Sequence, residues 1–229
     1  MSTCRRIPSW DWLIFMTRYY RICHSTFPLL PHSKARLRAR LLQCPPTLRL
    51  AFLASIDAFV RSSPSTLLPP SPDVRQSTRK AAELIANSLY DNPSARTPSA
   101  YIVYMQALIL MALESDNHGP ATMRGQVGPP RAEWLGRAIG MATHLKLNIP
   151  RSRDRYNDDD RDSDDKLGRR VWWILFILDR WHASSTSCLV QLPDSSSSLL
   201  PEDAILLGES TYHLASKLVM KYQISSEHN

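Results

Sequence analysis

Apolar residues recur every three or four positions along most of this chain, and prolines and polar runs cut the repeats into separate helical stretches. Ser9 opens the first, placed to cap it, with Asp11 favourable in its first turn. Leu13, Met16, Tyr20 and Cys23 continue one face until Pro28 and Pro31 stop the helix. A short basic helix around Lys34 to Arg40 follows. Pro45-Pro46 then starts another, in which Leu48, Phe52, Ile56 and Phe59 or Val60 repeat at helical spacing. Further helices are predicted from Ser77 to Tyr90, from Ser99 to Glu114 and from Pro130 to Asn148. A last one is set off by Pro201-Glu202-Asp203 and carries Ile205, Leu206, Tyr212, Leu214, Ala215, Leu218, Val219 and Tyr222. In the Ser99 helix the inward residues are Tyr101, Ile102, Met105, Leu108, Ile109 and Ala112. In the Pro130 helix they are Trp134, Leu135, Ala138, Ile139, Ala142 and Leu145, while Ala132, Gly136 and Gly140 make a small-residue groove that a second helix could approach. Strand signals are scarce, so the fold class is all-α, with many helices.

One stretch breaks the amphipathic rule. Val171 to Leu178 is an unbroken apolar run with adjacent Trp172 and Trp173, bracketed by Arg169-Arg170 and Asp179-Arg180. It can be hidden only as a helix, or less favourably a strand, buried on nearly every side. It is far shorter than the ~20 residues a bilayer crossing needs, so no membrane partner is expected. The flanking charges have two readings. They form ion pairs that lock the helix among its neighbours, or they line an inter-helix pocket or partner interface, where Trp and Arg often carry binding energy.

Three polar segments interrupt the helices and are expected to be flexible inserts. The first covers 62–76 and holds Pro64, Pro69, Pro70 and Pro72. The second, 149–167, is dominated by Asp and Arg, and the third, 194–200, is serine-rich. The acidic run Asp158-Asp159-Asp160 with Asp162, Asp164 and Asp165 lacks the glycine and glutamate of a calcium loop. Its expected work is to neutralise the approach to Arg169-Arg170 and to favour the N-terminus of the Trp-Trp helix.

Composition narrows the function. At 229 residues and 43% hydrophobic, the chain suits one helical domain, or a small domain plus extensions, with a real core. The net charge of +7 is lopsided: residues 1–61 carry +8 and the remainder −1. The densest piece, Lys34-Ala35-Arg36-Leu37-Arg38-Ala39-Arg40, has no interleaved aromatics to stack on bases and reads as a solvated helix face, with phosphate contact as the alternative. No signal peptide is expected, because Arg5, Arg6, Asp11 and Arg18 interrupt every apolar run near the start. Cys4, Cys23, Cys44 and Cys188 include no C-x2-C pair and cannot close around zinc, so reduced thiols are expected and no metal site. No nucleophile elbow, P-loop, dinucleotide fingerprint or H-E-x-x-H occurs, and His182, with Ser184, Ser185 and Ser187 nearby, does not make a triad. His24, beside Thr26, is expected to be a structural hydrogen-bonding residue. No catalytic residue, cofactor-binding residue or enzyme activity is expected.

The Arg169-Arg170-x-Trp172-Trp173…Leu178-Asp179-Arg180 block resembles the signature of the fungal-specific transcription factor domain, the regulatory middle region of fungal zinc-cluster transcription factors of the xylanolytic-activator type. Ala138-Ile139-Gly140-Met141-Ala142-Thr143-His144-Leu145-Lys146-Leu147-Asn148 is similar to the family's preceding helix, and Tyr19-Tyr20…His24-Ser25-Thr26-Phe27-Pro28-Leu29-Leu30-Pro31 to its entry motif. The resemblance covers residues 10–222. With Leu192-Pro193-Asp194 and Leu200-Pro201-Glu202-Asp203 it looks most similar to regulators of sugar transport and carbon use.

The resemblance implies a regulator of RNA polymerase II transcription in the nucleus, with DNA-binding and zinc ion binding supplied by a six-cysteine cluster that this chain lacks. It implies that DNA is met only through such a missing module or a partner, and it leaves a homodimer and a small-molecule effector as possible partners. Because the resembled domain has more helices, the chain is expected to be cut at both ends, as a fragment or an incomplete gene model. The alternative is a stand-alone ligand-binding or dimerisation domain without direct DNA binding. The family's signature residues here are Arg169, Arg170, Trp172, Trp173, Asp179 and Arg180, expected to be structural. The chain departs from the pattern after Arg180: many members carry Gly-Arg-Pro soon after, whereas here Cys188-Leu189-Val190-Gln191-Leu192-Pro193 stands, and only the proline is kept.

Overall fold

A computed structural model describes residues 9–63, 73–88, 96–117, 128–149, 161–193 and 198–226. Every regular element among them is a helix: α1 (Ser9–Ile22), α2 (Lys34–Gln43), α3 (Pro46–Ser62), α4 (Asp73–Ser88), α5 (Pro98–Asp116), α6 (Arg131–His144), α7 (Asp164–Thr186) and α8 (Asp203–Ser226). The starts follow local chemistry. The Ser33, Thr97 and Ser163 side chains accept from backbone N–H groups in the first turns of α2, α5 and α7. Proline stands at the first turn of α3 and α5, where its missing N–H costs nothing.

Two helices form the interior. α5 is apolar all round, and nearly every residue from Ala100 to Ser115 is buried rather than the single face its spacing suggests. In α7 every residue from Lys166 to Arg180 is buried. α3 packs on α4 and α5, α6 lies against α5 and α7, and α8 closes over α7, while α1 rests on α3. The core they share includes Trp134, Trp172, Trp173, Tyr19, Phe52 and Phe176.

Several boundaries depart from the sequence reading. α4 begins at Asp73, so the insert expected over 62–76 is helical at its end, and Ser62 still belongs to α3. Residues 64–72 lie outside the described residues, as do 89–95, 118–127 with Gly119-Pro120, 150–160, and 194–197. α6 stops at His144, not Asn148. There Lys146 takes a left-handed conformation (φ 54°), and the Leu147 N–H donates to the Ala142 carbonyl at 3.1 Å. This turn lays Leu147 on Gly168 of α7, where a Cβ would sit 3.0 Å from the Leu147 Cδ2. The close approach is therefore at Gly168, which periodicity did not single out.

The proposed groove on α6 is not used by a helix. A Cβ on Gly136 would meet only the Gln191 side chain at 3.6 Å, and one on Gly140 would meet nothing within 4 Å. Gly140 is thus an exposed glycine inside a helix, bearing an entropic cost with no packing return. Gly140→Ala is expected to stabilise the fold by about 0.5–1 kcal/mol, read as a higher urea midpoint with unchanged slope.

Candidate functional site

A helix buried along fifteen consecutive residues ordinarily tolerates no charge, yet α7 carries Arg169, Arg170, Asp179 and Arg180 inside that run. Buried ions must be paired and hydrogen-bonded, because desolvation otherwise outweighs the attraction gained. Each of these four side chains reaches a segment of irregular backbone, and together they tie three loops to one helix.

Arg169 holds the chain that enters α8. Its Nε donates to Asp203 Oδ1 at 2.9 Å and its Nη2 to Oδ2 at 2.7 Å, a fork-to-fork pair with the Asp203 side chain wholly buried. Nη1 donates to the Asn148 carbonyl at 2.9 Å and Nη2 also to the Ser198 carbonyl. The same Asp203 carboxylate accepts from the Trp173 indole N–H at 3.1 Å and from the Leu200 N–H at 2.9 Å. The Arg169 guanidinium lies 5.1 Å from the Trp173 ring centroid. Ser198 and Leu200 are therefore fastened, at the end of the segment expected to be a flexible insert over 194–200.

Arg170 holds two further loops. Its Nη1 donates to the Leu30 carbonyl at 3.1 Å, and its Nη2 donates to Asp162 Oδ1 at 2.8 Å and to the Arg161 carbonyl at 3.3 Å. Asp162 also accepts from the His32 backbone N–H at 3.0 and 3.1 Å, and the His32 Nδ1 stands within reach of both partners, 3.2 Å from Asp162 and 3.1 Å from Arg170. Burial alone raises the Asp162 carboxyl, but the His32 and Arg170 contacts outweigh it and hold the group below the usual carboxylate range. Its contribution is thus present above the unfolded value near ~3.9 and is lost only as pH falls through the lower folded one. Arg40 adds to this corner from α2, donating to Asp164, to Ser99 Oγ at 2.7 Å and to the Asp162 carbonyl at 2.9 Å.

These contacts correct the reading of 149–167 as a solvated insert. α7 starts at Asp164, Lys166 is buried, and the Asp162 side chain is only 6% exposed. Of the acids here, Asp162 pairs with Arg170, Asp164 is turned to Arg40, and Asp164 and Asp165 stand in the first turn of α7, while Arg169 is answered from farther along the chain by Asp203. Asp158-Asp159-Asp160 lies outside the described residues.

At the other end of α7, Asp179 accepts from the Gln191 N–H at 3.1 and 3.0 Å and from the Leu192 N–H at 2.9 Å. Arg180 lies over the Phe176 ring at 3.3 Å from its centroid and donates to the Leu192 carbonyl at 2.8 Å. α7 terminates at Ser187 in a left-handed conformation (φ 57°), and the chain then holds out Cys188, Leu189 and Val190 before the Asp179 anchor. Trp172 and Trp173 are buried in the core on α7. The structure thus gathers all six signature residues on one helix, but in separate clusters at its two ends rather than in one site. Asp162, Asp203 and His32 complete those clusters. The sequence signal for them was the demand itself, since a basic pair in a wholly buried helix requires acids from elsewhere.

His24 corrects another expectation. It lies edge-on or tilted against Tyr19, Tyr20 and His32, and neither buried ring nitrogen has a hydrogen-bond partner. Burial, followed by the neighbouring His32 and Arg170, lowers its pKa to about 4. The unfolded chain, with an ordinary histidine near ~6.5, takes up the proton first on acidification. Stability is therefore full above that value and falls as the pH drops towards 4. His24→Phe keeps the ring packing and removes both unpaired nitrogens. A plot of melting temperature against pH is expected to be flatter for this variant between pH ~6.5 and 4. An unchanged slope would assign the acid loss to other groups.

The hydroxyls of Ser185 and Thr186 donate to the backbone carbonyl of His182 at 3.0 and 2.7 Å, so they close the helix end and do not engage its ring. Cys23 and Cys44 are buried, with thiols pushed up by burial to about 12 and about 11, and Cys188 is exposed. Among the described residues, no group of three or more His, Cys, Asp and Glu is placed to hold a metal ion.

No solved structure matches this chain. An uncharacterized transcriptional regulatory protein of Schizosaccharomyces pombe is 40% identical to it over 192 residues, which is 83% of this chain and 22% of that relative. The chain therefore spans about a fifth of the relative's length. Residues 16–221 match the family described as the fungal specific transcription factor domain, a stretch that begins at Met16 in α1 and takes in the three loop clamps of α7. With that match, this chain belongs to the fungal specific transcription factor domain family.

Proposed function

We propose that these residues form the regulatory region of a nuclear regulator of RNA polymerase II transcription, one that does not itself contact DNA and that serves carbon metabolism. The observation that carries the reading is the family match across α1 to α8, together with a relative whose name is that of a transcriptional regulatory protein. The site chemistry agrees with a role in shape rather than in reaction. The charged signature residues are spent on Asp203, Asp162, each other and loop backbone, which leaves them as positioning groups for a helical body and not as acids, bases or nucleophiles. On this reading the chain is not an enzyme. DNA reading and zinc belong to a six-cysteine module, since the four cysteines here are too far apart to form one. A second copy of the chain and a small-molecule effector are the partners this reading allows.

The test is a fusion of the full chain to an unrelated DNA-binding module, assayed on a reporter carrying that module's site. The fusion is expected to change reporter output relative to the module alone, and to do so differently when the carbon source is switched. Output identical to the bare module would overturn the regulatory reading. A carbon-independent change would remove only the metabolic part. Protection of specific bases by the unfused chain would overturn the claim that it does not contact DNA.

A further inference from the structure

We propose that α8 is hinged at Gly208 and that its outer segment, residues 209–226, is an arm with two positions. In one it lies folded on α7; in the other it swings into line with the start of its own helix. Gly208 stands at φ 73° and ψ 160° inside an otherwise helical run, so α8 is two helical pieces meeting at a break. That conformation is open to glycine and essentially closed to other residues. Sharp breaks usually come from a proline or from a side chain wedged into the helix. The sequence from Asp203 to Tyr212 holds no proline, and among the described residues nothing lies within 4 Å of a Cβ built on Gly208. Packing at the joint therefore does not impose the break; docking of the arm does.

The two pieces are held unequally. Before the joint, the wholly buried Asp203 carboxylate is paired with Arg169 and accepts from the Trp173 indole, and Leu206 and Leu207 are buried. Beyond the joint, Thr211 and Ala215 are the fully buried side chains among the described residues, and both are small. Tyr212, Leu214, Leu218 and Val219 pack against the core but stay partly open, and Met220 is 58% exposed. Among the described residues, one side-chain hydrogen bond ties the arm to the body, from the Thr211 hydroxyl to the Thr26 carbonyl. The break has its own cost. A residue at these angles turns the chain off the helical path, so the carbonyls before it and the N–H groups after it cannot all keep their partners four residues apart. Swinging the arm into line restores that ladder and gives up the docking contacts. The two gains oppose each other, which is the condition for an element with two discrete arrangements.

The experiment places one spin label on the body and one on the arm of the full 229-residue chain. Cys188, exposed just beyond α7, takes the first, and Lys217→Cys, at an exposed position on the arm, takes the second. Cys4→Ser removes a further thiol, and Cys23 and Cys44 are buried. Distances are read by pulsed dipolar spectroscopy. The parent is expected to show one main distance and a minor second one. Gly208→Ala removes the glycine conformation and favours a continuous helix, so the ratio of second to first distance is expected to rise about tenfold or more. Thr211→Val keeps the shape but drops the hydrogen bond to Thr26, and is expected to raise the same ratio by up to about tenfold. Both variants should retain the cooperative melt of the body, because the arm opens without it. A folded Gly208→Ala chain with the parent's distances unchanged would overturn the proposal. So would loss of the whole fold in Gly208→Ala together with unchanged distances in Thr211→Val, since arm and body would then be one cooperative unit.

Discussion

Asp203→Ala is expected to lower the unfolding free energy by about 3–5 kcal/mol, the scale found when one partner of a buried ion pair is removed. The carboxylate is wholly buried and satisfies Arg169, the Trp173 indole and the Leu200 N–H together. Its loss leaves a guanidinium whose side chain is 4% exposed with only the Asn148 and Ser198 carbonyls as partners. Urea denaturation followed by tryptophan fluorescence measures the effect. Asp203→Asn keeps an acceptor oxygen but not the charge, and should fall between parent and alanine variant. A cost below about 1 kcal/mol would place the pair with surface ion pairs and refute its weight in the fold.

Asp179→Ala is expected to cost a similar ~3–5 kcal/mol at the opposite end of the helix, for a related reason. Three contacts to the backbone N–H groups of Gln191 and Leu192 disappear, and Arg180, with a side chain 1% exposed, loses its adjacent acid. Arg169 and Asp179 are ten residues apart on α7, roughly 15 Å along its axis, so the two losses should add. Their sum approaches the total stability of an ordinary domain, about 5–15 kcal/mol. The double variant is therefore expected to be unfolded at 25 °C, with the helical circular dichroism signal largely gone. Retention of a cooperative melt by the double variant would show that the two ends of α7 are not independent anchors.

The helices were legible because their signals are local. Proline at the start of α3 and the apolar spacing in α4 and α6 act within a turn or two, as do the Ser33, Thr97 and Ser163 caps, which the sequence reading did not single out. The Trp-Trp segment announced its own burial, and the arginines beside it announced a need for acids. Which acids would answer was not legible. Asp162 reads as one of a solvated run and Asp203 as an ordinary first-turn residue. Only the packing of α8 and of the 161–163 turn against α7 brings them to the arginines. Gly168 and Gly140 show the same limit. A glycine's spacing on a helix does not say which neighbour stands opposite, so the groove expected at Gly136 and Gly140 is open, while the close contact is with Leu147 at Gly168. His24 was misread because its sequence neighbours suggest hydrogen bonding, whereas its spatial neighbours are rings.

The Arg170 clamp also has a consequence for the order in which the chain can mature. The Leu30 carbonyl waits for a guanidinium 140 positions later, and the His32 N–H for a carboxylate 130 positions later. At ribosomal speeds of about 5–20 residues per second, the Leu30 carbonyl emerges roughly 7–28 s before its partner is made. The Leu29 carbonyl is covered sooner, by Gln106 at 2.7 Å across 77 positions. The portion from Leu29 to α5 can begin to collapse around that contact, but the Leu30 carbonyl and the His32 N–H lack these partners until residues 162–170 are synthesised. Nascent chains arrested before α7 should therefore be cut by protease at the loop over 27–32, and chains arrested after α7 has cleared the exit tunnel should resist.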